Sequence, residues 1–189
     1  MIRVISGSAK GKRLKLVPGD STRPIMDRAK EALFSIIGRD IIDATVLDLF
    51  AGTGSVGIEA LSRGASKAVF IDLDRMAIKT IQENLELTKL KENAIVRRAD
   101  ALSLLKQTPP PDPYDFIYIA PPQYKDLWWQ ALSILDSSPE WIGEYTKVIV
   151  QIDPNEQQDK QLQHLEGYDS RIYGKTLLWF FEKKDEEED

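Results

Sequence analysis

Cysteine is absent from this chain of 189 residues, and histidine occurs once, at His164. The first absence excludes disulfides, thiolate nucleophiles and every cysteine-containing zinc site; the second excludes metal motifs built on a histidine pair. No metal site is therefore expected. Long apolar runs are missing too, since no stretch approaches the roughly 20 apolar residues that span a bilayer. The opening Met1-Ile2-Arg3-Val4-Ile5-Ser6-Gly7 also lacks the apolar segment of a signal peptide. A cytoplasmic chain with no membrane partner is the expectation. What is present suits a globule: 42% hydrophobic and 29% charged residues, at a length that gives one domain with a full core.

Positive charge is in the minority, 25 Lys and Arg against 30 Asp and Glu, and a net −5 argues on average against nucleic acid. Its distribution reverses that argument. Residues 1–42 carry net +5, residues 43–181 carry −6 and residues 182–189 carry −4. In the first segment Lys10, Lys12, Arg13, Lys15, Arg23 and Arg28 form a candidate phosphate-contacting surface, which supplies affinity and register but not base specificity. The closing Asp185-Glu186-Glu187-Glu188-Asp189 run reads as a solvated, disordered tail. The expected organisation is a basic extension over 1–42, a main domain over 43–184 and an acidic tail over 185–189.

Alternation in Arg3-Val4-Ile5 and in Arg13 to Val17, around a glycine-containing basic tip, predicts an N-terminal hairpin. Helical spacing from Ile25 to Ile37, with Pro24 near the first turn and Gly38 past the end, predicts a helix. Strand patterns then fall at 46–50, 68–72, 94–98, 114–119 and 147–152. Helical patterns fall at 56–62, from Asp74 to about 87, at 125–135 and at 156–165. Residues 170–173 and 176–181 read as a closing antiparallel hairpin. Strands separated by helical crossovers make a doubly wound, mostly parallel α/β sheet, whose ligands bind outside the carboxyl ends of the strands.

The first of these strands runs into Ala51-Gly52-Thr53-Gly54-Ser55-Val56-Gly57, a G-x-G-x-x-G loop that lets backbone approach a ligand at a helix N-terminus. Asp72 closes the next strand and is placed to take both hydroxyls of a ribose; Asp74 reads as a helix cap. Two carboxylates favour S-adenosylmethionine over NAD. Asp48, inside the first strand, suits the cationic amino group of a methionine moiety, and Asp100, at the end of the third, suits an adenine amine. With Ala51, Gly52, Thr53, Gly54, Leu73 and Ala101 these make the candidate cofactor site. Trp128 and Trp129 are candidates for a base pocket, Trp141 and Trp179 read as packing, and His164 falls in a polar helix without a role.

The run Asp48-Leu49-Phe50-Ala51-Gly52-Thr53-Gly54-Ser55-Val56-Gly57-Ile58-Glu59-Ala60-Leu61-Ser62-Arg63-Gly64-Ala65 resembles the cofactor loop and helix of the RsmD-type ribosomal RNA guanine-N2 methyltransferases, class I enzymes with a Rossmann-like methyltransferase sheet. Arg3 to Gly7, Thr22-Arg23-Pro24 with Asp27 to Phe34, Phe70 to Arg75 and Tyr173-Gly174-Lys175-Thr176 match that family in order and spacing. The resemblance implies methylation of the exocyclic amine of one guanine in small-subunit ribosomal RNA, presented on a partly assembled subunit and carried out by a monomer.

One departure stands out. The family ends its fourth strand with Asp-Pro-Pro and an aromatic residue, whereas this chain has Ala120-Pro121-Pro122-Gln123-Tyr124. A carboxylate there would accept protons from a guanine amine whose lone pair is delocalised into the ring. Asp115 is no replacement, because five residues at about 3.3 Å each put it at the other end of the strand. In the reading preferred, carbonyls of Ala120 and Pro121 accept the amine hydrogens, Gln123 adds a side-chain carbonyl and Tyr124 stacks on the flipped base. The alternatives are a non-catalytic RNA-binding or ribosome-assembly factor that keeps cofactor affinity, a different substrate amine or target atom, and an NAD-dependent oxidoreductase.

Overall fold

The computed structural model describes residues 2–19 and 25–185. Arg23, Pro24 and the tail residues 186–189 lie outside them. Among the described residues nine strands and five α-helices follow in chain order: β1 Ile2–Arg3, β2 Arg13–Leu14, α1 Asp27–Ile37, β3 Thr45–Leu49, α2 Ser55–Ser62, β4 Lys67–Asp72, α3 Arg75–Thr88, β5 Ala94–Arg98, α4 Ala101–Leu105, β6 Phe116–Ile119, α5 Leu127–Ser137, β7 Lys147–Ile152, β8 Leu165–Tyr173 and β9 Thr176–Lys183. Seven strands form one sheet in the order β5-β4-β3-β6-β7-β9-β8. The first five are parallel, and β9 pairs antiparallel with both β7 and β8. Strand order reverses between β3 and β6, which opens a crevice at their carboxyl ends.

Both faces of the sheet are covered, so its central strands read as apolar runs interrupted by few polar residues. In β3, Val46 faces one core with Phe70, Tyr118 and Ile149, against α1, α2 and α3. Leu47 and Leu49 face the other, with Ile117, Ile119, Val148 and Val150, against α4 and α5. Among the described residues no helix is long and apolar enough to cross a membrane.

The basic extension is fastened to the first of these cores. Its ladder is short, Ile2 opposite Leu14 and Arg3 opposite Arg13, but Ile2, Val4, Ala9 and Leu14 are all buried there. Glu59 on α2 accepts the backbone N–H groups of Ile5 (2.8 Å) and Ser6 (2.9 Å). Ser62 takes the N–H of Ala9 on its hydroxyl and that of Ser8 on its carbonyl. Gly7 crosses so close to α2 that a Cβ would lie 1.7 Å from the Ser62 oxygen. On α3, buried Asn84 accepts from the Lys15 N–H (2.7 Å) and donates to the Thr53 carbonyl (3.0 Å), which joins the extension to the glycine loop.

Helix α1 buries Ala29, Lys30, Leu33 and Phe34 along one stripe and ends at Gly38, whose positive φ of 62° breaks the helical path and suits a residue without a Cβ. The helix predicted over 156–165 does not form. A single 3-10 turn spans Pro154–Glu156, the chain then runs without regular structure, and Leu165 opens β8. The reason is local. The segment carries too few apolar residues for a buried stripe, and the Asp136 carboxylate accepts the backbone N–H groups of Gln163, His164 and Leu165, which holds the chain extended. His164 is therefore not helical; its Nδ1 lies 2.6 Å from the Asp136 carbonyl.

Candidate active site

A cavity of about 730 Å³ opens at the carboxyl ends of β3, β4, β5 and β6. Loops place its walls. The glycine loop between β3 and α2 forms one side, with Asp72 and Leu73 after β4 and Asp100 and Ala101 after β5. The turn Ala120-Pro121-Pro122-Gln123 after β6 forms the other. Gly57, the third glycine of the loop motif, lies against Phe70 of β4, where a Cβ would come within 2.3 Å of the ring. This contact seats α2 on the sheet. Gly54 does not line the cavity; it caps α2 in the left-handed conformation at φ 76°.

Asp72 is held in place by its neighbours. Its Oδ2 accepts the Gly52 N–H at 2.8 Å and its Oδ1 the Asp74 N–H at 2.9 Å, and each oxygen keeps a second lone pair. Asp74 caps α3 through the Met76 N–H at 2.8 Å, as its spacing predicts. Asp48 is buried, and its hydrogen bond from the Gly57 N–H is long at 3.3 Å. Burial pushes its carboxyl up to about 7, with the nearby Asp72 charge adding to the rise. A buried carboxylate with one weak donor is an incomplete site that a cationic group would complete. Asp100 caps α4, accepting the Ser103 N–H at 2.8 Å, and the Ser103 bonds hold its carboxyl below the ordinary range. It remains exposed at the cavity wall. The set thus offers a buried anion, a fixed carboxylate and an exposed carboxylate along one wall, the complement of an ammonium, a diol and an aromatic amine.

Tyr124 is not part of the cavity wall. Its φ is 59°, its ring is 67% exposed, its N–H donates to Glu156 Oε1 at 2.8 Å and its hydroxyl engages Asp153 and Asn155. These bonds leave the ring exposed outside the cavity lining. Trp128 does not line a base pocket either: it is 1% exposed in the core, edge-on to Trp129. Trp129 is half-buried with the Lys160 ammonium 4.5 Å from its ring centre. Asp115 lies at the amino end of the sheet, where it accepts from the Thr45 N–H and hydroxyl.

On the basic surface Lys10, Lys12, Arg13 and Arg28 are exposed. Lys15 is exposed as well but paired with Glu83 at 2.9 Å. Two wall residues escape a reading by motif. Tyr118 of β6 and Gln151 of β7 both line the cavity and are hydrogen-bonded to each other. Their signal is a polar side chain inside the apolar runs Phe116-Ile117-Tyr118-Ile119 and Val148-Ile149-Val150-Gln151-Ile152.

The parallel sheet, its antiparallel closing strands and a ligand-sized cavity at the switch point define a Rossmann-like methyltransferase of class I. A solved Escherichia coli structure named as a methyltransferase, yhhF, superimposes with a TM-score of 0.85 at 28% identity, over 98% of this chain and 99% of that one. The chain belongs to the RsmD-type family of ribosomal RNA methyltransferases: the family model described as Conserved hypothetical protein 95 matches residues 2–182. It is 36% identical over 184 residues to YlbH of Bacillus subtilis, named as an rRNA methyltransferase, covering 97% of this chain and all of that protein. It is 33% identical over 150 residues to Ribosomal RNA small subunit methyltransferase D of Escherichia coli, covering 79% and 74% of the two.

Proposed function

We propose that the chain transfers a methyl group from S-adenosylmethionine to the exocyclic N2 amine of a guanine in small-subunit ribosomal RNA. The observation that carries this reading is the cavity at the carboxyl ends of the strands, with Asp72 and the glycine loop at one end and the Ala120 to Gln123 turn at the other. Relatives named as rRNA methyltransferases support the substrate class.

When bound, S-adenosylmethionine supplies an electrophilic methyl group on a sulfonium. Asp48 holds the methionine ammonium, Asp72 takes the ribose hydroxyls, and Asp100 accepts from the adenine amine between Leu73 and Ala101. The loop backbone at Ala51, Gly52 and Thr53 closes round the ligand, with Gly54 setting the start of α2. The turn holds the target amine. Carbonyls of Ala120 and Pro121 accept its hydrogens, which localises the nitrogen lone pair for in-line attack. Pro122 stiffens the turn and Gln123 adds a side-chain carbonyl. Alignment of amine and methyl supplies most of the rate, so transfer proceeds without a carboxylate at position 120. Lys10, Lys12, Arg13 and Arg28 contact phosphates of RNA presented on a partly assembled subunit, with the protein acting as a monomer.

The test is incubation with methyl-labelled S-adenosylmethionine and undermethylated small subunits. Label recovered as N2-methylguanine is the expected result. The methyl side chain of Ala120, where the family carries a carboxylate, favours one second reading: an RNA-binding assembly factor. Bound RNA and bound S-adenosylhomocysteine with no label transferred would establish it.

A further inference from the structure

Ala120 brings no polar side chain to the cavity, so the side-chain chemistry of that wall falls to its neighbours. Strands β6 and β7 are parallel with Ile119 opposite Val150, which sets Ala120 alongside Gln151. Alternation puts Tyr118, Ala120, Ile149 and Gln151 on one face of the sheet, the face that also carries Asp48 opposite Tyr118. Asp48, Tyr118, Ala120 and Gln151 all line the cavity. They form its floor beneath the catalytic turn.

The Tyr118 hydroxyl donates to Gln151 Oε1. Tyr118 is 3% exposed, and burial, together with the Asp48 charge, keeps its hydroxyl protonated far above the ordinary tyrosine range. It therefore has a proton to give at every working pH. That bond fixes the amide orientation: Oε1 is taken, and the two hydrogens of Nε2 have no protein acceptor among the hydrogen bonds of the described residues. The floor beside Ala120 thus presents a donor. Neighbouring strands stand about 4.8 Å apart, a spacing of the same order as that between the amine and the carbonyl oxygen on the Watson–Crick edge of guanine.

We propose that Gln151, oriented by Tyr118, is the base-reading residue of this site: its Nε2 donates to a carbonyl oxygen of the target base while the Ala120 carbonyl accepts from the amine. The assignment rests on the guanine reading above and adds the group that selects it. A purine with an amine in place of that oxygen meets donor against donor, and the half-buried amide goes unpaired.

The experiment uses two fluorescein-labelled pentaribonucleotides, four uridines around a central guanine or around 2,6-diaminopurine, which keeps the 2-amine and replaces the oxygen with an amine. Anisotropy is read on the full chain saturated with S-adenosylhomocysteine. Both probes share one backbone, so phosphate contacts cancel. Wild type should prefer the guanine probe by about tenfold. Gln151→Glu, which replaces the donor by an acceptor, should reverse the order, and Tyr118→Phe, which frees the amide to turn over, should narrow the ratio towards one. Equal wild-type affinities, or an unreversed order in folded Gln151→Glu, would overturn the assignment. The wild-type comparison needs no variant to fold. A guanine preference without methyl transfer to small subunits would overturn the function proposed above and leave the base reading intact.

Discussion

The Lys30 ammonium lies 3.4 Å from Glu59 Oε2, with neither side chain exposed to solvent. Lys30 also donates to the Arg3 carbonyl at 2.6 Å and to the Ser55 hydroxyl at 2.9 Å, while Glu59 receives Ile5, Ser6 and the Arg63 guanidinium at 2.8 Å. One buried pair therefore ties the basic extension and α1 to α2. Removing one partner leaves the other charge stranded, so Lys30→Met should cost about 3 to 5 kcal/mol. Chemical denaturation measures it, and exchange of the Ile5 and Ser6 amides should speed up together.

Asp48 makes a prediction with a definite pH window. Its folded carboxyl sits at about 7 against an ordinary 3.8, so the native state favours the protonated form and the unfolded chain releases that proton first. The penalty on stability grows by about 1.4 kcal/mol per pH unit between those two values and levels off above the upper one. Asp48→Asn should give no gain in melting temperature near pH 4 and a rising gain that reaches its plateau above pH 7. The same variant should lose affinity for S-adenosylhomocysteine at pH 8, and wild-type affinity should fall as the pH drops below 7.

Asp72→Ala removes both acceptors that hold Gly52 and Asp74, along with the proposed ribose contact. Calorimetric titration should register at least a tenfold loss of S-adenosylhomocysteine affinity. NADH should not bind wild type measurably; tight NADH binding would return the oxidoreductase alternative.

Ala120→Asp restores a proton acceptor at the turn. Initial rates of label transfer to small subunits should rise about 100-fold or more. No change in rate would mean that the backbone carbonyls already do all that a carboxylate can do in this geometry.

Replacing Lys10, Lys12 and Arg13 by alanine should weaken RNA binding across sequences and flatten the dependence of log affinity on log salt by about 2 to 3 units. Cofactor titrations should be unaffected, since none of the three lines the cavity.

Much of this molecule is legible from sequence because its signals are strong and local. The strands at 94–98 and 147–152 fall on the predicted residues, and Asp74 and Gly38 cap the helices their positions suggest. The failures come from tertiary contacts. Residues 156–165 have helical propensity, but Asp136, 27 to 29 residues earlier in the chain, pins their end by three backbone N–H groups. Trp128 and Trp129 follow the Ala120 to Gln123 turn in sequence, yet α5 turns the former into the core. Lys30 reads as one more charge of the basic segment until α2 brings Glu59 to it. Tyr118 and Gln151 were invisible to motif reading because their meaning lies in strand register, which only the folded sheet supplies.

The seat of the N-terminal extension recognises the course of its main chain. Glu59 and Ser62 bind the N–H groups of Ile5, Ser6, Ser8 and Ala9, whatever side chains those residues carry. Gly7, pressed against the Ser62 carbonyl, admits no side chain, and Ala9 is confined by its burial in the core. Anchorage and display are therefore separate properties of this segment. The exposed positions at Ser8, Lys10 and Lys12 can change without loosening the segment from α2, which makes them the natural positions at which to re-aim the proposed RNA-facing surface.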